Sequence, residues 1–272
     1  MSKFNWTGFW QTCVLAASLC AASTQAAFDH SHAQWNGLLK KHVVLISDGK
    51  ATQVNYAGML SDHAELRTYL AALSALSRQE YEGFGNAQKL AFLINAYNAF
   101  TVELILSRYP DVKSIKDLGS LLTSPWKKKF FKLFGEEKSL DAIEHGMIRV
   151  PGAFDEPRIH MAVVCASVGC PALRNEAFVA ERLNDQLEDG VVRFLSDHSR
   201  NRYDGATKSL EVSRLFDWYG KDFAAQAGSV ANFLTRYAKQ LAADADGERA
   251  LREVKPKISF LDYDWSLNDV SK

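Results

Sequence analysis

Apolar positions recur along this chain mostly at helical spacing, interrupted by short runs that alternate or stay apolar throughout. Residues 33–47 and 62–76 carry the helical period, and Ser61 or Asp62 stands where the second helix needs a cap. From Lys89 to Leu106 the chain is apolar on nearly every side, broken only by Asn95, Asn98, Thr101 and Glu103. Such a segment predicts a helix buried all round. Lys89 and Arg108 bracket it and Pro110 closes it, so it reads as a central core helix rather than a membrane span. Residues 128–140 read as a hairpin turning at Gly135-Glu136-Glu137. Asp141 then caps a short helix, with Glu144 placed as in a capping box. Arg158 to Ala166 is the clearest strand, and its unbroken Met161-Ala162-Val163-Val164-Cys165 predicts burial on both faces. Leu183, Leu187, Val191, Phe194 and Leu195 mark an amphipathic helix. Tyr203 to Val212 predicts a second hairpin with Asp204-Gly205 as its turn. A helix over about 229–241 and a strand from Ile258 to Tyr263 complete the pattern.

Helices and strands alternate irregularly, with no repeat and no linker rich in Pro, Gly or Ser. The expected fold is α+β: a single compact domain over 27–272, built on a central buried helix with a small, mostly antiparallel sheet. Residues 1–26 are set apart. Lys3 is the only charge before Asp29, Cys13 to Ala22 is a short apolar core, and Ser23-Thr24-Gln25-Ala26-Ala27 supplies small residues for cleavage. That layout predicts a secretory signal peptide, hence a periplasmic or secreted protein with no stable membrane span after cleavage. The remainder has 31 basic against 32 acidic side chains. No overall field draws it to nucleic acid, and Lys127-Lys128-Lys129 is a local run. Cys165 and Cys170 remain after cleavage, and in an oxidising compartment two cysteines five apart can pair.

Candidate chemistry gathers in Arg158 to Pro171, where a buried segment runs into a loop carrying thiol, hydroxyl and glycine. Cys165 is a candidate nucleophile if a neighbouring imidazole lowers its pKa. In a regular strand His160 and Cys165 would face opposite sides, so His145 from the preceding helix is an equal candidate for the base. A tetrahedral zinc set from His145, His160, Cys165 and Cys170 lacks the paired spacing that structural sites carry, so no metal is expected. Asn95 and Asn98 lie three apart on the central helix and, being buried amides, need partners. No Walker loop, dinucleotide fingerprint, H-E-x-x-H or G-x-S-x-G is present, and no cofactor is expected.

Several segments together resemble a known family, domain of unknown function 547. They are Phe92-Leu93-Ile94-Asn95-Ala96-Tyr97-Asn98-Ala99, Pro125 to Phe131, Ser139 to Gly146, Pro157-Arg158-Ile159-His160 and Cys165 to Leu173. Phe216-Asp217-Trp218-Tyr219 and Tyr263 to Asp269 complete the set. The resemblance runs from about residue 35 to 269, with Glu156 resembling a one-residue insertion. It implies a domain found alone in exported bacterial proteins and joined to other modules in plants. Its polar members, Asn95, Asn98, His145, Arg158, His160, Cys165 and Ser167, become site candidates.

Two functions are expected. In the first, a cysteine-dependent hydrolase or acyl transferase acts on a peptide-like substrate. Cys165 is then the nucleophile, His160 or His145 the base, and Asn95 or Asn98 an orienter or oxyanion donor. Asn98, Arg158, Ser167 and Trp218 are the expected ligand contacts. In the second, the same pocket belongs to a non-catalytic module that binds a small molecule, peptide or thiol.

Overall fold

The computed structural model describes residues 1–3, 27–120, 123–253 and 256–271; the expected signal segment, apart from its first three residues, lies outside them. Helix α1 (Ala33–His42) turns Trp35, Leu38 and Leu39 inward. The helix expected to reach 47 stops at His42, because Val43-Val44-Leu45-Ile46 is better suited to a strand. It forms β1 (Val43–Ile46), antiparallel to β2 (Ala51–Val54). Helices α2 (Tyr56–Ser61), α3 (His63–Ala75) and α4 (Arg78–Glu82) follow. Asp62 precedes α3 as expected, but its carboxylate makes no cap and instead meets Lys41 and His42, each at 2.6 Å.

Helix α5 (Asn86–Leu106) is the central core helix. From Leu90 to Leu106 every residue but Glu103 is buried. It is long and apolar enough to cross a bilayer, yet 89% of its apolar window lies inside the protein. Strands β3 (Phe131–Leu133) and β4 (Glu136–Lys138) form the expected hairpin. Its turn falls at Phe134-Gly135, both with positive φ, one residue earlier than the sequence suggested. Phe134 is held there by packing against Tyr81 and Phe92. Helix α6 (Leu140–Ile143) is capped by Ser139, whose Oγ accepts the Ala142 N–H at 3.2 Å. The cap therefore lies two residues before Asp141, and Glu144 is left outside any capping box. A single π-helical turn, Glu144–Ile148, continues from α6.

The segment expected as the clearest strand is not one. Pro157–Met161 forms a 3₁₀ turn and the chain to Ala166 is irregular. Periodicity cannot distinguish a short buried apolar run in a strand from one in another conformation, and two local features decide this case. Pro157 starts the turn while the Glu156 carboxylate accepts the Arg158 N–H at 3.1 Å. The backbone bonds that a neighbouring strand would provide come from one side chain: Asn98 donates Nδ2 to Ala162 O (2.8 Å) and accepts the Val164 N–H (3.0 Å). Asn95 does the same for Phe178, donating to its carbonyl at 2.8 Å and accepting its N–H at 3.0 Å. A buried backbone outside regular structure must find such partners.

Helix α7 (Leu183–Leu195) is as expected. Strands β5 (Arg202–Asp204) and β6 (Ser209–Ser213) form the second hairpin. Short helices α8 (Leu215–Trp218), α9 (Gly220–Ala227), α10 (Val230–Thr235), α11 (Ala238–Leu241) and α12 (Ala245–Glu253) follow. The single helix expected over 229–241 is thus broken around Arg236-Tyr237, and α12, with Leu251 as its buried residue, was not anticipated. The last strand, β7 (Lys257–Leu261), runs parallel to β6, so the strands among the described residues form three small sheets of which one is mixed. The fold is α+β.

One apolar cluster surrounds α5; a second gathers Phe194, Phe216, Phe223 and Phe233. The irregular segment runs between them, Ile159 facing the first and Met161 the second. Residues 264–268 strap its far end: Val168 and Gly169 donate to Ser266 O (2.8 Å) and Asp264 O (2.9 Å), and Asn268 donates to Ala166 O (3.1 Å). Gly169 suits this close approach, since a Cβ would stand 3.0 Å from Asp264 O and crowd the strap.

Replacing Asn98 by Leu keeps the branched side-chain shape but orphans Ala162 O and Val164 N–H. The expected loss is about 1–3 kcal/mol per orphaned group, read by chemical denaturation. Unfolding indistinguishable from wild type would show that the amide does not hold this segment.

Candidate functional site

A cleft of about 260 Å³ opens where the two clusters meet. Tyr97 reaches it from α5, Glu144 and His145 from the π turn, and His160, Cys165 and Cys170 from the clamped segment. Trp126, Trp218, Tyr219, Tyr263 and Trp265 supply aromatic walls. The alternation argument that separated His160 from Cys165 does not apply, because the segment between them is not a strand.

The two histidines differ in what remains free. Arg149 Nη1 lies 2.5 Å from His145 Nδ1, and Asp141 Oδ1 lies 3.4 Å from its Nε2. A guanidinium can only donate, so Nδ1 accepts, Nε2–H faces the carboxylate, and both nitrogens are engaged. His160 is almost wholly buried and stacks on Tyr219 with ring centres 3.8 Å apart. Its Nε2 donates to Asp222 Oδ2 at 2.9 Å, which fixes the tautomer. Nδ1 is then an acceptor, and it has no partner among the described residues. Burial pushes the imidazole pKa down, with Asp222 and the charge on Glu144 opposing that shift. The ring is therefore a neutral base at neutral pH. Asp222 also receives Arg149 Nε (2.6 Å) and Nη2 (3.0 Å). The His160 hydrogen bond, with that of Arg149, holds its carboxyl far below the usual carboxylate range despite partial burial.

Cys165 is partly exposed to the cleft and Cys170 is buried. Their Cα atoms are 6.3 Å apart and their sulfurs are paired, a separation that a disulfide can span. The Tyr263 hydroxyl sits between the sulfurs, 3.3 Å from Cys165 and 3.2 Å from Cys170. The Cys165 N–H donates to the Cys170 sulfur at 3.0 Å. Burial raises the Tyr263 pKa, so its proton stays available.

Glu144 is 4% exposed and opens the π turn, closed by the Arg149 N–H on Glu144 O at 2.9 Å. Turns of this kind are frequent at functional sites. Tyr97 and Tyr219 direct their hydroxyls at its carboxylate; burial first, and Glu144 after it, raise both phenol pKa values. Glu144 Oε1 has no partner among the described residues.

Of the residues singled out from sequence, Cys165, His160, His145 and Trp218 share the cleft. Asn95 and Asn98 do not line it; both amides hold backbone, as described above. Arg158 is tied to Glu156, Glu188 and Asn184 at 2.7–3.1 Å. Ser167 is buried behind the cysteine, its hydroxyl 3.4 Å from Cys165 O. From the sequence Glu144 had only a capping role, Tyr219 stood in a shared motif without a role, and Asp222 and Arg149 went unnoticed. The available signal was Tyr219 and Asp222 three apart in a stretch too polar for pure core. Among the described residues no group of three or more His, Cys, Asp or Glu side chains is gathered to hold a metal ion.

A family model described as "Protein of unknown function, DUF547" matches residues 81–195. This span holds Tyr97, Glu144, His145, Arg149, His160 and both cysteines, whereas Trp218, Tyr219, Asp222, Tyr263 and Trp265 lie beyond it. No curated protein and no solved structure matches the chain.

The opposing influences on His160 give a signed expectation. Asp222→Asn removes the charge that raises its pKa and leaves the burial that lowers it. Histidine-resolved NMR titration should show the imidazole titrating at lower pH than in wild type. An unchanged or higher value would mean that Asp222 does not govern this ring.

Proposed function

Since residues 81–195 belong to DUF547, whose description leaves activity open, we propose that the cleft is a cysteine-dependent site for hydrolysis or acyl transfer on a peptide-like substrate. The protein would act in the periplasm or outside the cell. The observation that carries this reading is the meeting in one cleft of a partly exposed cysteine, Cys165, and a neutral imidazole, His160, which Asp222 fixes through Nε2 while Nδ1 has no partner among the described residues. That is the division of labour a thiol nucleophile, its base and the orienting group require.

The chemistry balances as follows. Thiol–disulfide exchange with a dithiol reductant opens Cys165–Cys170, the reductant being oxidised as the pair is reduced. The Cys165 proton passes to His160 Nδ1, and the thiolate attacks the substrate carbonyl carbon. The carbon–nitrogen or carbon–oxygen bond breaks as His160 returns the proton to the leaving group. Water or an acceptor nucleophile then gives its proton to His160 and attacks the thioester, and the imidazole reprotonates the departing sulfur.

A second reading, a non-catalytic module for a small molecule, peptide or thiol, draws on the sulfur contacts. Among the described residues Cys165 meets Cys170, Tyr263 and Ser167, not a histidine.

Alkylation rate against pH separates the two. With Cys170→Ser as background, Cys165 should react with iodoacetamide at an apparent pKa well below the free value of about 8.5. His160→Ala should raise that value, and His145→Ala should not. A thiol that alkylates only on unfolding would remove the nucleophile and leave the binding module.

A further inference from the structure

Within that reading, on which this step rests, we propose that the cleft binds a primary ammonium group, with Glu144 as its counter-ion and the neighbouring aromatic rings as its walls. The substrate, or the acceptor of the transferred acyl group, would then carry a free amine.

Glu144 is 4% exposed, makes no ion pair among the described residues, and has one oxygen with no hydrogen-bond partner. A carboxylate so placed costs free energy unless something pairs with it. Against burial and beside Asp222, the Glu144 charge helps to raise the Arg149 pKa, but Arg149 forms no ion pair with Glu144. Arg149 commits Nε and Nη2 to Asp222 and Nη1 to His145, so all its nitrogens are engaged elsewhere. The tyrosine hydroxyls directed at Glu144 are neutral donors. The unpartnered His160 nitrogen, Nδ1, is an acceptor. Two acceptors of cleft-lining side chains, Glu144 Oε1 and His160 Nδ1, thus lack a partner among the described residues, and a ligand that donates hydrogen bonds would supply one.

The walls fit a cation as well. Trp218 stacks on Trp265 with centres 5.6 Å apart, and Tyr263 lies 4.9 Å from Trp218 and 4.6 Å from Trp265. Ring faces attract ammonium and guanidinium groups. This wall already holds one, since Lys116 Nζ lies 3.7 Å from the centre of the Trp265 ring. Trp218 is 43% exposed, unusual for a side chain of its size, and its ring lines the cleft. At about 260 Å³ the cleft admits a small amine or the end of a peptide, not a folded partner.

Binding can be read without any acyl chemistry. Cys165→Ser, in the otherwise intact chain, is titrated with n-butylamine at neutral pH and, separately, with n-butanol, its neutral counterpart, followed by NMR shifts of the tryptophan indoles. The amine should bind at least about tenfold more tightly than the alcohol, the scale of one charge-assisted contact in a desolvated site. Glu144→Gln should abolish that preference while leaving alcohol binding unchanged. Trp218→Ala, at an exposed rim position, should weaken the amine more than the alcohol and covers the case in which Glu144→Gln fails to fold. Equal binding of both probes, no binding of the amine, or a preference that survives Glu144→Gln would overturn the proposal. Amine binding beside an unreactive Cys165 would leave this site standing and remove the thiol mechanism instead.

Discussion

The structure depends on a pair of amides on one buried helix. Asn98 closes both backbone groups flanking Val163, and Asn95, one turn earlier, closes those of Phe178. Without them the chain from 157 to 178 would carry buried polar backbone with no regular structure to satisfy it. With them, a segment that is neither helix nor strand crosses between two apolar clusters and brings His160 and Cys165 to the same side. The strap at 264–268 fixes its other end and brings Tyr263 against the sulfurs. Positions that look like active-site amides in the sequence are the scaffold of the site instead.

Around that scaffold the charges are arranged in a chain. Asp141 faces His145, His145 meets Arg149, Arg149 grips Asp222, and Asp222 orients His160. Each link uses up a donor or an acceptor of its members. What is left over is informative: an imidazole nitrogen on His160 and a carboxylate oxygen on Glu144. Both are acceptors, both are buried, and both belong to side chains lining the same cavity. The three phenols nearby, Tyr97, Tyr219 and Tyr263, have pKa values raised first by burial, so they serve as fixed neutral donors.

Long periodic elements were legible in the sequence. Helix α5 was visible from its apolar length, α7 from its stripe, and both hairpins from their turn residues. Short apolar runs were not: Met161 to Cys165 reads identically as a buried strand or as an irregular segment held by a distant asparagine. Glu144 was misjudged because its fate depends on a cap two residues earlier than Asp141, at Ser139. Asp222 was invisible because its partners lie 62 and 73 residues away, and no local pattern marks such a contact. Cys165 and His160 were legible as candidates, but their sharing of one cleft follows from the clamped backbone alone.

The most direct test of the account is covalent. The reduced protein, treated briefly with p-nitrophenyl acetate and measured by intact-mass spectrometry with peptide mapping, should carry a single acetyl group on Cys165. That adduct should form much more slowly in His160→Ala. No adduct, an adduct confined to surface lysines, or acylation of Cys165 that is indifferent to His160 would contradict the account.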